Sequence, residues 1–153
     1  MAKYLRSPPR IKILEALGAI ADKRIKLIDE RRAEVISSDG TRKYTVIVDY
    51  NARRVFSNDN GTRFRGYVGY PIIAFLMLKG ILPFDERLAQ ALKDIPWKKL
   101  NETYKRYAIV EEIVKKKALE KGVMPSELDA FVEKSMRLLR SLKLVFDEKL
   151  VEE

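Results

Sequence analysis

Arg42, Lys43, Arg53, Arg54, Arg63 and Arg65 stand among Tyr44, Tyr50, Phe56, Phe64, Tyr67 and Tyr70 in the single stretch Arg42–Tyr70. Six of the chain's fourteen aromatic residues fall there, so rings and cations are concentrated together. Guanidinium and ammonium groups neutralise phosphates, and flat rings stack on unpaired bases. The chemistry of this pattern is the binding of single-stranded nucleic acid. A second cluster follows Pro96: Trp97, Lys98, Lys99, Tyr104, Lys105, Arg106 and Tyr107. On a helix it makes either a solvated face with a core stripe behind it or an extension of a phosphate track.

Aromatic residues also favour strands and fill cores, so about half of these rings are expected to point inward. Alternation across Thr62–Tyr70, read as a strand, puts Arg63, Arg65 and Tyr67 on one face and Phe64, Val68 and Tyr70 on the other. In Arg53–Ser57, Arg54 and Phe56 share a face. Phe56 and Tyr67 are therefore the expected exposed stackers, and Phe64 and Tyr70 the expected buried rings.

The formal charge is +9, unevenly placed. Residues 123–153 carry five Lys/Arg and seven acids, a net −2, which leaves +11 on residues 1–122. Self-repulsion of that size is tolerated more easily when a polyanion neutralises it. The bland reading is a Lys-rich surface typical of hyperthermophilic proteins. The single Gln and absent Cys also fit it.

Catalysis has little support. The chain has no Cys and no His. Disulfides, thiolate or imidazole metal ligands and His-based triads are therefore excluded. Phosphate-loop and nucleophile-elbow patterns are missing. Asp39, Asp49 and Asp59 are regularly spaced, as a Mg²⁺-dependent nuclease could use, but two of them sit in turn sequences where Asp is simply a good turn former. No catalytic residue, metal or cofactor is expected.

These side chains must be positioned by an α+β domain. Ser7-Pro8-Pro9 opens a helix carrying Ile13, Leu14, Leu17 and Ile20. Arg24–Ile28 and Ala33–Ser37 read as short strands. Asp39-Gly40 marks a hairpin into Arg42–Tyr50, followed by Arg53–Ser57 and Thr62–Tyr70. The expectation is a small antiparallel sheet of three to four strands packed with helices. Pro71 opens a buried helix to Leu78, Asp85 begins another, and one longer helical region runs from Pro96 to Gly122. Pro125 opens a last helix reaching about Asp147. Its Leu128, Val132, Ser135, Leu139, Leu142 and Phe146 step by 4, 3, 4, 3, 4, the spacing of a coiled-coil seam, although core packing needs a similar stripe. The chain thus divides into a basic nucleic-acid-binding domain, 1–122, and a C-terminal oligomerisation helix, 123–153.

This layout resembles the ThermoDBP family of single-stranded DNA-binding proteins from hyperthermophilic archaea. The similar parts are the size, an N-terminal helix-and-sheet domain rich in Arg and aromatics (here Arg42–Tyr70), and a C-terminal zipper-like helix (here Leu128–Phe146). The resemblance implies binding of single-stranded DNA in a cleft flanked by basic residues, with oligomerisation through the last helix. A weaker resemblance covers Lys43–Leu78, similar in its strand-strand-helix layout to a SWIM zinc finger, but without any Cys or His ligand.

The sequence therefore leads to a sequence-independent single-stranded DNA-binding protein, with RNA also open because nothing reads or rejects a 2′-hydroxyl. Its expected interface is Arg42, Lys43, Arg53, Arg54, Phe56, Arg63, Phe64, Arg65, Tyr67, Tyr70, Lys98 and Lys99. Its expected homo-oligomer seam is Leu128, Val132, Leu139, Leu142 and Phe146. The alternatives are a protein–protein interaction module and the Mg²⁺-dependent nuclease. No apolar run reaches the roughly 18 residues of a membrane span and no signal peptide is apparent, so a soluble cytoplasmic protein with no membrane partner is expected.

Overall fold

The computed structural model describes residues 3–153. In chain order its elements are β1 (Lys3–Tyr4), α1 (Ile11–Ala21), β2 (Ile25–Leu27), β3 (Arg32–Ile36), β4 (Lys43–Asp49) and β5 (Arg54–Ser57). They are followed by α2 (Asn60–Arg63), α3 (Tyr70–Leu78), α4 (Glu86–Ala91), α5 (Trp97–Tyr104), α6 (Tyr107–Glu120), α7 (Pro125–Leu142) and β6 (Val145–Phe146). A final 3-10 turn spans Glu148–Glu152.

The fold class is α+β, but the sheet is larger than expected and is mixed. It has six strands in the order β1-β6-β5-β4-β3-β2. The β2–β3–β4–β5 meander is antiparallel, as the alternation and the Asp39-Gly40 turn predict. Gly40 has a φ of 78°. That left-handed conformation is what such a turn requires, and glycine adopts it without a Cβ penalty. The two strands beyond β5, β6 and then β1 at the edge, are too short to carry a readable pattern. β6 joins parallel to β5 and antiparallel to β1.

Each face of the meander has its own cover. Ala33, Val35, Val46, Val48 and Val55 point into the main core with α1 and α3. Ile47 and Phe56, which face each other across β4 and β5, point to the other side. There Phe146 and Leu150, from β6 and the 3-10 turn, close over them in a small second cluster. α1 and α3 are buried almost all round between the sheet and the outer helices. A helix so placed has no need of a polar face.

Two expected elements take another form. Thr62–Tyr70 is not a strand. Asp59 accepts from the Thr62 amide at 3.1 Å and caps the single helical turn α2. Such a cap satisfies an amide that the first turn leaves without a partner. Gly66 then turns with a φ of 72°, and Tyr67 makes one bridge to Arg6. The region from Pro96 to Gly122 is two helices, separated where Lys105 takes a left-handed φ of 55°.

The last helix is also shorter than expected. It stops at Leu142, because Lys143 caps it with a φ of 50°. Phe146 then enters the sheet as part of β6, with the Val145 amide donating to the Arg53 carbonyl at 2.8 Å. The expected zipper residues are used inside the chain. Leu128, Val132 and Leu139 are buried in the main core, Leu142 packs half-buried against it, and Phe146 stacks on Phe56. A heptad stripe suits any apolar surface. Here α1 and α6 supply that surface. A partner helix therefore finds this seam already covered. Segment 123–153 contributes both to the core and to the sheet. No helix among the described residues is long and apolar enough to cross a membrane.

Candidate functional site

α1 reads Ile-Lys-Ile-Leu-Glu-Ala-Leu-Gly-Ala-Ile-Ala, with two charged residues in an otherwise apolar helix. Lys12 and Glu15 lie one turn apart and pair at 3.1 Å, and Glu15 is only 3% exposed. Burial alone would lower the Lys12 pKa, but Glu15, with Tyr67 and Tyr107 beside it, outweighs that and raises it. Asn101 on α5 donates its Nδ2 to Glu15 at 2.7 Å, across 86 positions of sequence. A paired charge of this kind in a core helix needs a polar neighbourhood.

That neighbourhood is a cleft of about 670 Å³. It lies where α1, the β3–β4 turn, the loops around α2, and the starts of α3, α5 and α6 meet. Its aromatic lining is Tyr44, Tyr67, Tyr70, Tyr107 and Trp97. Tyr44 meets Tyr70 edge to face at 6.4 Å, and the Arg24 guanidinium sits 5.9 Å from the Tyr70 ring. The Lys12 ammonium lies 5.0 Å from the Tyr107 ring. Burial raises the hydroxyls of Tyr44 and Tyr70, and pushes that of Tyr67 up to about 12.

Asp59 secures one wall. It accepts from the hydroxyls of Ser57 and Thr62, while the Thr62 hydroxyl accepts from the Gly69 amide at 2.9 Å. The packing is close: a Cβ on Gly69 would collide with the Asp59 carboxylate, and one on Gly61 with the Tyr67 ring. On the opposite wall the Lys98 amide donates to Ser38 at 2.8 Å, and its ammonium pairs with Asp39 at 3.0 Å. Hydrogen bonds from Thr41, then Ser37 and Lys98, hold the Asp39 carboxyl well below the usual carboxylate range.

The cleft lining carries six cations (Lys12, Arg24, Arg42, Arg65, Lys98, Lys105) and three acids (Glu15, Asp59, Glu102). The cations divide into two groups. Lys12, Arg24 and Lys98 have acidic partners. Arg42, Arg65 and Lys105 are exposed and, among the described residues, have none within salt-bridge distance.

Five of the twelve residues expected to bind nucleic acid meet in this cleft: Arg42, Arg65, Tyr67, Tyr70 and Lys98. Arg63 and Phe64 flank it beside Arg65, with the Arg63 guanidinium 5.9 Å from the Phe64 ring. Lys99 follows Lys98 directly in α5. The other four lie elsewhere. Lys43 pairs with Glu34 at 3.3 Å, and Arg54 with Asp147 at 2.7 Å and Glu153 at 2.8 Å. Arg53, in the β4–β5 turn, lies over the Tyr50 ring at 4.0 Å. Phe56 is 6% exposed beneath the C-terminal segment.

The exposure of Phe64 and Tyr67 reverses the strand-based expectation. Tyr67 is 7% exposed and Phe64 is 75% exposed. The α2 turn breaks the alternation on which that expectation rested. Asp39, Asp49 and Asp59 do not converge either. Asp39 holds the hairpin turn, Asp49 faces Arg31 and Arg54, and Asp59 caps α2. Among the described residues no group of three or more acidic side chains gathers as a cation site.

Sequence reasoning missed Lys12, Glu15, Arg24 and Asn101 as cleft residues. Tyr44 stands in the ring-and-cation stretch but outside the expected interface, and Asp59 figures there only as a nuclease carboxylate. Two of the missed residues did carry a signal, since a Lys and a Glu at i, i+3 inside an apolar helix must be buried together.

The fold and cleft define an α+β protein with a polar, aromatic, net-positive cleft. The chain belongs to the family described as Uncharacterised conserved protein UCP014422, whose model matches residues 5–145. No curated protein and no solved structure matches it.

Proposed function

We propose that this protein binds single-stranded nucleic acid at the cleft, without strong sequence preference. The observation that carries the reading is the union, in one cleft, of four tyrosines and a tryptophan with three exposed cations that lack acidic partners. Arg42, Arg65 and Lys105 supply phosphate contacts. Phe64 is exposed beside Arg63 and Arg65. It supplies a stacking surface outside the cleft, contributing roughly 1–3 kcal/mol per base. A duplex keeps its bases stacked inside and offers these rings nothing, so the site favours unpaired strands.

The test is fluorescence anisotropy with labelled single-stranded DNA, duplex DNA and single-stranded RNA of equal length, titrated across salt. The expected result is tight single-strand binding, weaker duplex binding and a steep salt dependence. Equal weak binding to all three, or none, refutes the proposal.

A further inference from the structure

Charge within the cleft is sorted by depth. The buried lining is internally neutralised. Lys12 is matched by Glu15, and Arg24 by Asp22 at 3.5 Å and the Ile36 carbonyl at 2.7 Å. Asp59 is matched by the donors of Ser57 and Thr62. What remains there is aromatic and polar: Tyr44, Tyr67, Tyr70 and Tyr107, and the amide of Asn101. A charged group entering this depth would lose its hydration and meet no unmatched countercharge. A neutral heterocycle would meet rings and hydrogen-bonding groups. At the edge cations are in excess, because Arg42, Arg65 and Lys105 are exposed without acidic partners among the described residues, against one exposed acid, Glu102.

A matching ligand has a flat, neutral, polar end and an anionic end. Size limits it further. The cleft holds about 670 Å³. That is the scale of a small-molecule site and not of a groove that tracks a long strand. We infer that the cleft is a nucleotide pocket, taking one nucleotide with its base inward among the tyrosines and its phosphate outward against Arg42, Arg65 and Lys105. The inference deepens the single-strand reading and rests on it. A bound strand inserts one nucleotide here, and the rest of it lies over the edge.

Trp97 is the chain's one tryptophan and, although buried, lies in the wall of the cleft, so its emission is followed beside displacement of a bound strand. The test titrates the full chain with each of the four deoxynucleoside 5′-monophosphates, the matching nucleosides and inorganic phosphate. It then uses each to displace a labelled single-stranded oligonucleotide. The expected result is that a monophosphate changes Trp97 emission and displaces the strand. The nucleoside and inorganic phosphate should each be at least about tenfold weaker, a difference of about 1.4 kcal/mol. Arg65→Ala, at an exposed site that leaves the fold intact, should erase most of the advantage of nucleotide over nucleoside. A strand that binds but is not displaced by any monophosphate overturns the pocket and leaves the single-strand reading standing. Inorganic phosphate matching the nucleotide overturns it too, leaving an anion site. If neither strand nor nucleotide binds, both readings fail together.

Discussion

Replacing Arg42 and Arg65 together with Ala tests which surface carries the phosphate contacts. Both side chains are exposed cleft residues without acidic partners among the described residues, so their loss breaks no ion pair of the fold. Each single-strand phosphate contact contributes about 0.7 to the slope of log K against log salt. Two lost contacts should make that slope shallower by about 1.4 and, at about 0.1 M salt, weaken binding roughly 25-fold, or about 2 kcal/mol. The control is Arg54→Ala. Arg54 is tied to Asp147 and Glu153 on the other side of the sheet. Its loss should leave the slope unchanged, because those pairs serve the fold and face no phosphate. Anisotropy titrations across a series of salt concentrations would define the slope for both variants. If Arg54→Ala flattens the slope as much as the double variant does, or the double variant leaves it unchanged, the assignment of the cleft is wrong.

Other outcomes follow from burial. Phe56 and Leu139 are both buried within one chain. Phe56→Ala and Leu139→Ala should each cost about 2–5 kcal/mol in denaturant unfolding. If either changes binding or oligomeric state with stability intact, that residue belongs to an interface and not to the core. A pH dependence should arise from the tyrosines. Tyr67 is pushed up to about 12, and Tyr44 and Tyr70 are also raised. In the unfolded chain all lose their protons near a pH of about 10. The folded state then holds more protons above that value, so this contribution to stability is complete below about pH 10 and is lost as the pH rises toward about 12. Ultraviolet titration of tyrosinate should resolve a late-ionising class. All seven tyrosines ionising together would contradict the buried cleft.

Local signals decided much of the framework. The Asp39-Gly40 turn, the apolar α3, the Asp85 cap and the Pro125 start each depend on near neighbours, and each lies in the structure where the residues indicate. The apolar α1 is also present, but it opens at Ile11 behind Arg10 and not at Ser7-Pro8-Pro9, so Ser7 is not its cap. The concentration of cations and rings in Arg42–Tyr70 likewise pointed to the segment that supplies much of the cleft. Which side chains are exposed was decided only by tertiary structure. Phe56 has the alternation of a surface ring. Leu150 and Phe146 nevertheless cover it, from the far end of the chain. The heptad stripe of α7 fits a partner helix as well as it fits α1 and α6, and in the folded chain α1 and α6 occupy it. The cleft itself joins Lys12, Asp59, Asn101 and Tyr107 from four separate segments. Periodicity records which faces are apolar or polar; it carries no information about which distant segment will meet them.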